Sequence, residues 1–312
     1  MQYFLLAFSV VFPLLFYMVL GFAIRKCRIL TQDTFKSMNV MIFKILIPIT
    51  LFLTVYHSDV MESISPKLFI YVIAAILVFF IAAWKFTAPF VQDKKDRSVI
   101  IQGIGRSNFV LFGMIIGASL CDENQLGTIA ALAAIVVPLI NILSIVLFSS
   151  MRSEKVSIKE IVIEVFKNPI VEAGIFGIIF SILQIPIPEI AEDVLTGLGD
   201  MATPLALICL GGMLSFQSMR SHKRYLQLVF LAKLVIVPMI AILIGFLIGF
   251  RDVEIVAILA VFGSPTAVAS VPMAQLLGGN ETLAGEIVAT TSAGCIITLF
   301  LFIWGLSYWG VI

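Results

Sequence analysis

Long apolar stretches alternate with short polar ones along the whole chain. A helix needs about 20 apolar residues to cross the ~30 Å hydrocarbon core of a bilayer. Ten stretches approach or exceed that length, so the pattern predicts ten membrane-spanning helices. These spans lie near 3–24, 38–57, 68–90, 98–120, 126–149, 169–186, 194–216, 225–250, 253–277 and 283–309.

Polar residues interrupt two of these spans at related positions. Span 4 contains Gly-Arg-Ser-Asn-Phe at 105–109, and span 9 contains Gly-Ser-Pro-Thr-Ala at 263–267, an offset of 158 residues. Such breaks free backbone groups that lipid cannot satisfy, so they persist only where they are buried or line a cavity. A matched pair of interrupted spans indicates the substrate site of a transporter. The candidate substrate-binding residues are Arg106, Ser107, Asn108, Phe109, Ser264, Pro265, Thr266 and Ala267.

Composition identifies the surroundings of these helices. The chain is 61% hydrophobic and 12% charged, which is more apolar surface than a soluble domain can bury. We therefore expect an integral, multi-pass membrane protein whose environment is the lipid bilayer and which has no nucleic-acid partner. The four cysteines are scattered without metal-type spacing, so we expect no disulfide, no metal and no cofactor.

Basic residues orient the predicted spans. Fourteen lysines and arginines lie in the loops after spans 1, 3, 5 and 7, whereas the opposite loops hold only Lys67 and Arg251. Because loops rich in Lys and Arg stay in the cytoplasm, both termini are predicted to be extracytoplasmic, in the cell (plasma) membrane.

Ten spans divide into five and five at a charged linker. Since five is odd, the second half must enter the membrane upside down relative to the first, as in many secondary transporters. We therefore predict an all-α integral membrane fold of two inverted five-helix repeats, 1–150 and 169–312, joined by a cytosolic linker, 151–168. The offset of 158 residues pairs Gly105 with Gly263, Glu123 with Glu281 and Gly127 with Gly285.

Three strings of residues carry a family resemblance. They are Arg-Ser-Asn-Phe at 106–109, Ala-Thr-Pro-Leu-Ala-Leu-Ile at 202–208 and Ser-Pro-Thr-Ala-Val at 264–268. The chain resembles, over nearly its whole length, a bacterial member of the auxin efflux carrier family, which includes the plant PIN carriers. It departs from the family at Ile115, where members often have Pro, and at Asn280, where they often have Asp.

The resemblance implies an architecture and an activity. Broken helices 4 and 9 would cross within a transport domain of spans 3–5 and 8–10, against a scaffold of spans 1, 2, 6 and 7. The activity would be efflux or exchange of small organic anions by an elevator-like alternating-access mechanism. The residues themselves agree with such a substrate, because half-helices starting near Phe109 and Thr266 would aim unpaired N–H groups at a carboxylate. Arg106 and Asn108 would hold that carboxylate, with the N–H groups after Pro265 completing its cradle.

Other charged residues lie within the spans. Lys233 is predicted to lie as deep in the membrane as Arg106. Two roles stay open for it, a part in charge coupling and a structural ion pair. For Lys44 a functional role and a position at the membrane interface both stay open. Lys85 is predicted to extend its ammonium to the interface. Glu286 is predicted to be solvated near the cytosolic interface, although a drier position would let it carry a coupling proton.

Lys233 and Glu286 are therefore the candidates for charge coupling. Whether a proton or a sodium ion couples transport stays open, as does assembly into a homodimer.

Proteins of other classes fit the sequence less well. The chain contains no His-Glu-x-x-His pair and no Gly-x-Ser-x-Gly elbow, so we expect that it is not an enzyme. A channel would need a polar stripe along several spans. The alternative that remains is a transporter-like sensor, which would bind a small carboxylate without turnover.

Overall fold

Helices form nearly all of the described chain. The computed structural model describes residues 2–57, 65–121, 123–151, 166–213 and 216–312, together with 159 and 163. The helices of this part are α1 (Gln2–Lys26), α2 (Gln32–Tyr56), α3 (Pro66–Thr87), α4 (Lys94–Gly105), α5 (Phe109–Leu120), α6 (Glu123–Met151), α7 (Pro169–Ile182), α8 (Glu189–Asp200), α9 (Ala202–Met213), α10 (Phe216–Ser221), α11 (Lys223–Ile248), α12 (Asp252–Gly263), α13 (Ser270–Leu277) and α14 (Glu281–Tyr308).

Five helical segments of the described chain are long and apolar enough to cross a membrane. They are α2, α3, α11, α14 and the nearly continuous α8–α9 segment. The helices follow the predicted spans with shifted ends, because caps and breaks rather than hydropathy set where each one stops. The inverted ten-helix repeat itself stays a prediction, and most of the predicted linker, 151–168, lies outside the described residues.

The helices pack as two bundles. In the first bundle α1 packs on α9, and α2 packs on α7, α8 and α9. In the second bundle α12 packs on α5 and α11, α4 packs on α3, α6 and α14, and α13 packs on α14. The bundles meet where α14 contacts α1, where α6 contacts α2 and α7, and where α13 contacts α2.

Glycines allow α1 and α9 to touch backbone to backbone. A Cβ added at Gly21 would lie 1.9 Å from the carbonyl oxygen of Ile208, and one at Gly211 would lie 1.9 Å from that of Met18. No other residue type fits at either position, since both distances are far below van der Waals contact. Small residues at helix crossings are the usual means of close packing in membranes.

The half-helix α12 lies at the centre of the second bundle. Every residue from Ile255 to Gly263 is buried. By contrast α3 exposes large apolar side chains, among them Ile70 at 70% and Val78 at 62%. An apolar outer surface around a buried broken helix suits a protein whose surroundings are lipid.

Candidate functional site

The two sequence breaks lie against each other in the interior of the second bundle. The N–H of Asn108 donates to the carbonyl oxygen of Pro265 at 2.8 Å, and the N–H of Ala267 donates to that of Arg106 at 3.2 Å. These two bonds form an isolated antiparallel β-bridge between the extended segments. Each break thereby satisfies backbone groups that the other one frees. We call this bridge and its flanking residues the crossover.

Side chains reinforce the crossover around the paired Ser107 and Thr266. The hydroxyl of Thr266 donates to the carbonyl oxygen of Gly103 at 2.7 Å. The N–H of Thr266 donates to the hydroxyl oxygen of Thr291, on α14, at 3.2 Å. The bridge is therefore anchored to α4 on one side and to α14 on the other.

Local sequence explains why each helix stops at the crossover. Arg106, directly after α4, has an extended backbone with φ −96° and ψ 107°. Ser264, directly after α12, is also extended, with φ −64° and ψ 147°, as expected for a residue that precedes proline. The hydroxyl of Ser264 donates to the carbonyl oxygen of Ala260 at 2.5 Å and so pairs a carbonyl at the helix end.

The second half-helix begins later than the sequence suggested. The first, α5, begins at Phe109 as predicted, but α13 begins at Ser270 rather than near Thr266. The predicted cradle of N–H groups after Pro265 is also wrong for this conformation, because the N–H groups of Thr266 and Ala267 already donate to Thr291 and Arg106. Only the later N–H groups of this segment remain candidates for an anion.

Buried polar atoms without a partner are concentrated at the crossover. Within the described residues, five side chains here each have a buried atom that makes no hydrogen bond: Gln102 Oε1, Arg106 Nε, Ser107 Oγ, Asn108 Nδ2 and Ser270 Oγ. Native proteins leave few such groups, since each one costs desolvation energy without a compensating bond. Their clustering favours a binding role for this region.

A guanidinium and an amide converge on a sulfur atom. Arg106 is 4% exposed, and its Nη1 donates to the Sδ of Met273 at 3.3 Å. The Nε2 of Gln102 donates to the same sulfur at 3.0 Å. A thioether is a weak acceptor. No carboxylate of the described residues lies within 4.0 Å of Arg106, so a strong acceptor such as a carboxylate would improve on its present contact.

Sequence reasoning overlooked three residues of this cluster. Gln102 is polar within the apolar run 99–104, and that contrast could have identified it. Met273 and Ser270 give no such signal, because Met and Ser are common in membrane helices. Of the predicted site residues, Phe109 is 2% exposed and packs over Gly113 within α5, so the structure places it in the core.

The two candidates for charge coupling occupy different places. Lys233 is 1% exposed, and its Nζ lies 3.4 Å from the carbonyl oxygen of Phe262, beside the crossover. Glu286 is fully buried rather than solvated, and the earlier expectation is wrong. Its Oε2 lies 2.8 Å from Nδ1 of His222, at the turn between α10 and α11. Both of those helices contact α14.

Two cavities flank this region. One, of about 10 Å³, is partly enclosed and lined by Gly105, Ser107, Lys233 and Phe262 among others, which is space for about one water. The other, of about 950 Å³, opens at the surface among α10, α11 and α14. Its lining includes Thr290, which is next to Thr291, the residue whose hydroxyl accepts from the N–H of Thr266. The space directly beside the crossover is therefore no larger than about one water, and the larger cavity reaches α14 at the residue next to Thr291.

A comparison with protein families matches this chain over residues 6–303 to the family described as Membrane transport protein. The chain belongs to this family. The match spans both breaks and both bundles, and it confirms the resemblance to auxin efflux carriers that the crossover strings indicated. A comparison with curated proteins finds no match. A multi-pass membrane protein of a transport family is therefore the context in which the crossover acts.

Proposed function

We propose that this family member is a secondary transporter that exports or exchanges small organic anions, carboxylates in particular, by alternating access. The observation that carries the proposal is the crossover, where two helix breaks meet amid buried donors that lack good acceptors. In this proposal the chain forms ten spans in two inverted repeats, with both termini outside the plasma membrane.

Charge supports an anionic substrate. The helix α5 begins at the crossover, and the N-terminus of a helix carries roughly half a positive charge. The buried guanidinium of Arg106 adds a full positive charge without a carboxylate partner among the described residues. A planar guanidinium binds a carboxylate through two parallel hydrogen bonds. Asn108 precedes α5 and would offer its unpartnered Nδ2 to the same anion.

The two bundles support an elevator-like movement. Both breaks belong to the second bundle, so substrate and crossover can travel together past the first bundle. That motion would break polar contacts between the bundles, and among the described residues these include the ion pair between Lys36 of α2 and Glu281 of α14, 2.5 Å apart.

Transport assays on the reconstituted protein test the proposal. A panel of acetate, succinate, citrate and benzoate would first be screened for compounds that raise the melting temperature of the purified protein. Those compounds would then be assayed for exchange in proteoliposomes. We expect saturable exchange. We also expect Arg106→Gln to weaken binding roughly ten- to a hundredfold, because charge-assisted hydrogen bonds contribute ~1.5–3 kcal/mol. Lys85→Gln, which removes an exposed lysine on α3, is the control.

Other outcomes would identify other functions. Binding without flux would identify a sensor, and conductance that does not saturate would identify a channel. Unchanged affinity in a well-folded Arg106→Gln variant would refute the role of the guanidinium and leave the helix N-termini as the anion-selective element.

Cross-linking tests the elevator part separately. A double variant, Lys36→Cys with Glu281→Cys, would be joined by a bifunctional methanethiosulfonate reagent, because two cysteines are shorter than the ion-paired side chains they replace and would not reach each other directly. We expect exchange to stop when the reagent links the two thiols and to recover when reduction releases it. Full exchange by the cross-linked protein would exclude relative movement of the bundles at this end.

A further inference from the structure

Within the described residues one lysine is buried, Lys233, and its ammonium lies beside the carbonyl end of the half-helix α12. Lys233 lies on a π-helical segment of α11, Ala232–Ile236, directly before Val237 and Pro238. Proline lacks an N–H and disturbs the turn before it, and single π-turns of this kind are common at functional sites. Lys233 is among the largest fully buried side chains of the described chain.

The ammonium of Lys233 lies near groups of negative potential. Phe262 is in the last turn of α12, so its carbonyl has no partner further along that helix. Its oxygen lies 3.4 Å from Nζ of Lys233. The end of α4, at Gly105, lines the same small cavity as Lys233 and Phe262. Two helix C-termini, each equivalent to roughly half a negative charge, sum to about one negative charge opposite one ammonium.

No acidic side chain of the described residues contacts this position. No carboxylate of the described residues lies within 4.0 Å of Lys233, and the side chains that line the cavity include neither Asp nor Glu. The helix ends are therefore the counter-charge of the lysine. In transporters with broken helices, unwound carbonyls and half-helix C-termini are where a coupling Na⁺ binds.

We propose that Lys233 is a built-in cation, whose ammonium occupies the position at which the carbonyl ends of α4 and α12 would otherwise bind Na⁺. The protein then needs no sodium at its crossover, and sodium is excluded as the coupling ion there. The inference concerns the cation side of the crossover and holds whatever anion binds on the other side.

Removing the ammonium should create a sodium site. In Lys233→Ala the carbonyl ends lose their cation, while the space vacated can hold Na⁺ and water. Thermal unfolding of the purified variant would be compared in NaCl and in choline chloride at equal ionic strength. We expect Lys233→Ala to melt below the wild type in choline and to gain stability selectively in Na⁺. At ten times its Kd, Na⁺ multiplies the folded-to-unfolded ratio about elevenfold.

Lys44 offers a matched control. It lies on the other π-segment, Ile42–Leu46, which also shortly precedes a proline, Pro48, but its side chain is exposed. We expect Lys44→Ala and the wild type to melt equally in NaCl and choline chloride. If Lys233→Ala does not fold, Lys233→Gln removes the charge with less loss of volume and takes its place in the comparison.

Two results would overturn the inference. Selective stabilisation of the wild type by Na⁺ would mean that a sodium site exists beside the lysine. A folded Lys233 variant that responds equally to Na⁺ and choline would mean that the lysine only packs. Because neither measurement involves an organic anion, failure here is distinct from failure of the proposed transport function.

Discussion

Replacement of Arg106 by methionine should make the protein more stable and less able to bind anions. The guanidinium is 4% exposed, and its Nε has no acceptor among the described residues. The acceptor that these residues offer to its Nη1 is the Met273 sulfur at 3.3 Å. Methionine is unbranched and apolar, so Arg106→Met retains much of the packing while it removes a charge that is costly to bury.

Arg106→Met should raise the free energy of unfolding and weaken the free energy of anion binding by comparable amounts. Replacing a buried ion pair by apolar side chains of similar volume is often stabilising by ~1–4 kcal/mol, and a buried charge without a carboxylate partner is also costly to keep in the interior. We expect the melting temperature without ligand to rise by several degrees. Loss of the charge-assisted bonds to a carboxylate should weaken anion binding by ~1.5–3 kcal/mol, or roughly ten- to a hundredfold. Stabilisation of the ligand-free protein and loss of binding should therefore appear together in one variant.

Both quantities come from one thermal-unfolding titration. The wild type, Arg106→Met and the exposed-lysine control Lys85→Met would be melted in detergent with increasing concentrations of a carboxylate from the panel. A ligand-free Arg106→Met that melts lower than the wild type would refute the reasoning, since that result means the guanidinium has a structural partner. Retained anion stabilisation in that variant would remove the guanidinium from the site.

The other predictions use paired substitutions. Thr291→Val should destabilise the protein by ~1–3 kcal/mol, because it leaves a buried crossover N–H without its acceptor. Thr290→Val should leave thermal stability nearly unchanged, because the Thr290 hydroxyl has no partner in the described structure. Equal melting temperatures for the Thr291→Val and Thr290→Val variants would contradict the anchoring of the crossover by Thr291. Gly211→Ala should lower thermal stability by more than the ~1–3 kcal/mol of ordinary overpacking, since its Cβ would lie 1.9 Å from a backbone oxygen. Gly197→Ala, where nothing lies within 4 Å, should not lower thermal stability and should raise it slightly, because alanine favours a helix by up to ~1 kcal/mol over glycine. Similar losses of stability in both variants would argue against the close contact at Gly211.

Local chemistry made the breaks predictable. Glycine, asparagine and proline within apolar runs indicate a helix end whatever the rest of the fold is, and α4 and α12 end where these residues begin. The place where a half-helix restarts depends on partners far along the chain. Thr266 bonds to Thr291 and to Gly103, and neither bond follows from sequence spacing. This is why the start of α13 was predicted four residues early.

Burial was the quantity that the sequence predicted least well. The prediction that Glu286 is solvated was based on its distance from the end of a span. That reasoning assumes that nothing covers the end of the span. Its partner His222 lies 64 residues earlier in the chain, so the pairing depends on tertiary structure. Lys44 and Lys233 occupy similar local sequences ahead of a proline, yet one is exposed and the other is buried. Only the neighbouring helices distinguish them.

The β-bridge of the crossover has a consequence for biogenesis. The backbone groups of Asn108 and Arg106 pair with Pro265 and Ala267, which a ribosome adds more than 150 residues later. Until then the first break is an interrupted helix whose polar backbone has no permanent partner, and lipid cannot supply one. The first half of the chain is thus an incomplete folding unit. Two halves expressed from separate genes should accumulate together, and the N-terminal half alone should be degraded.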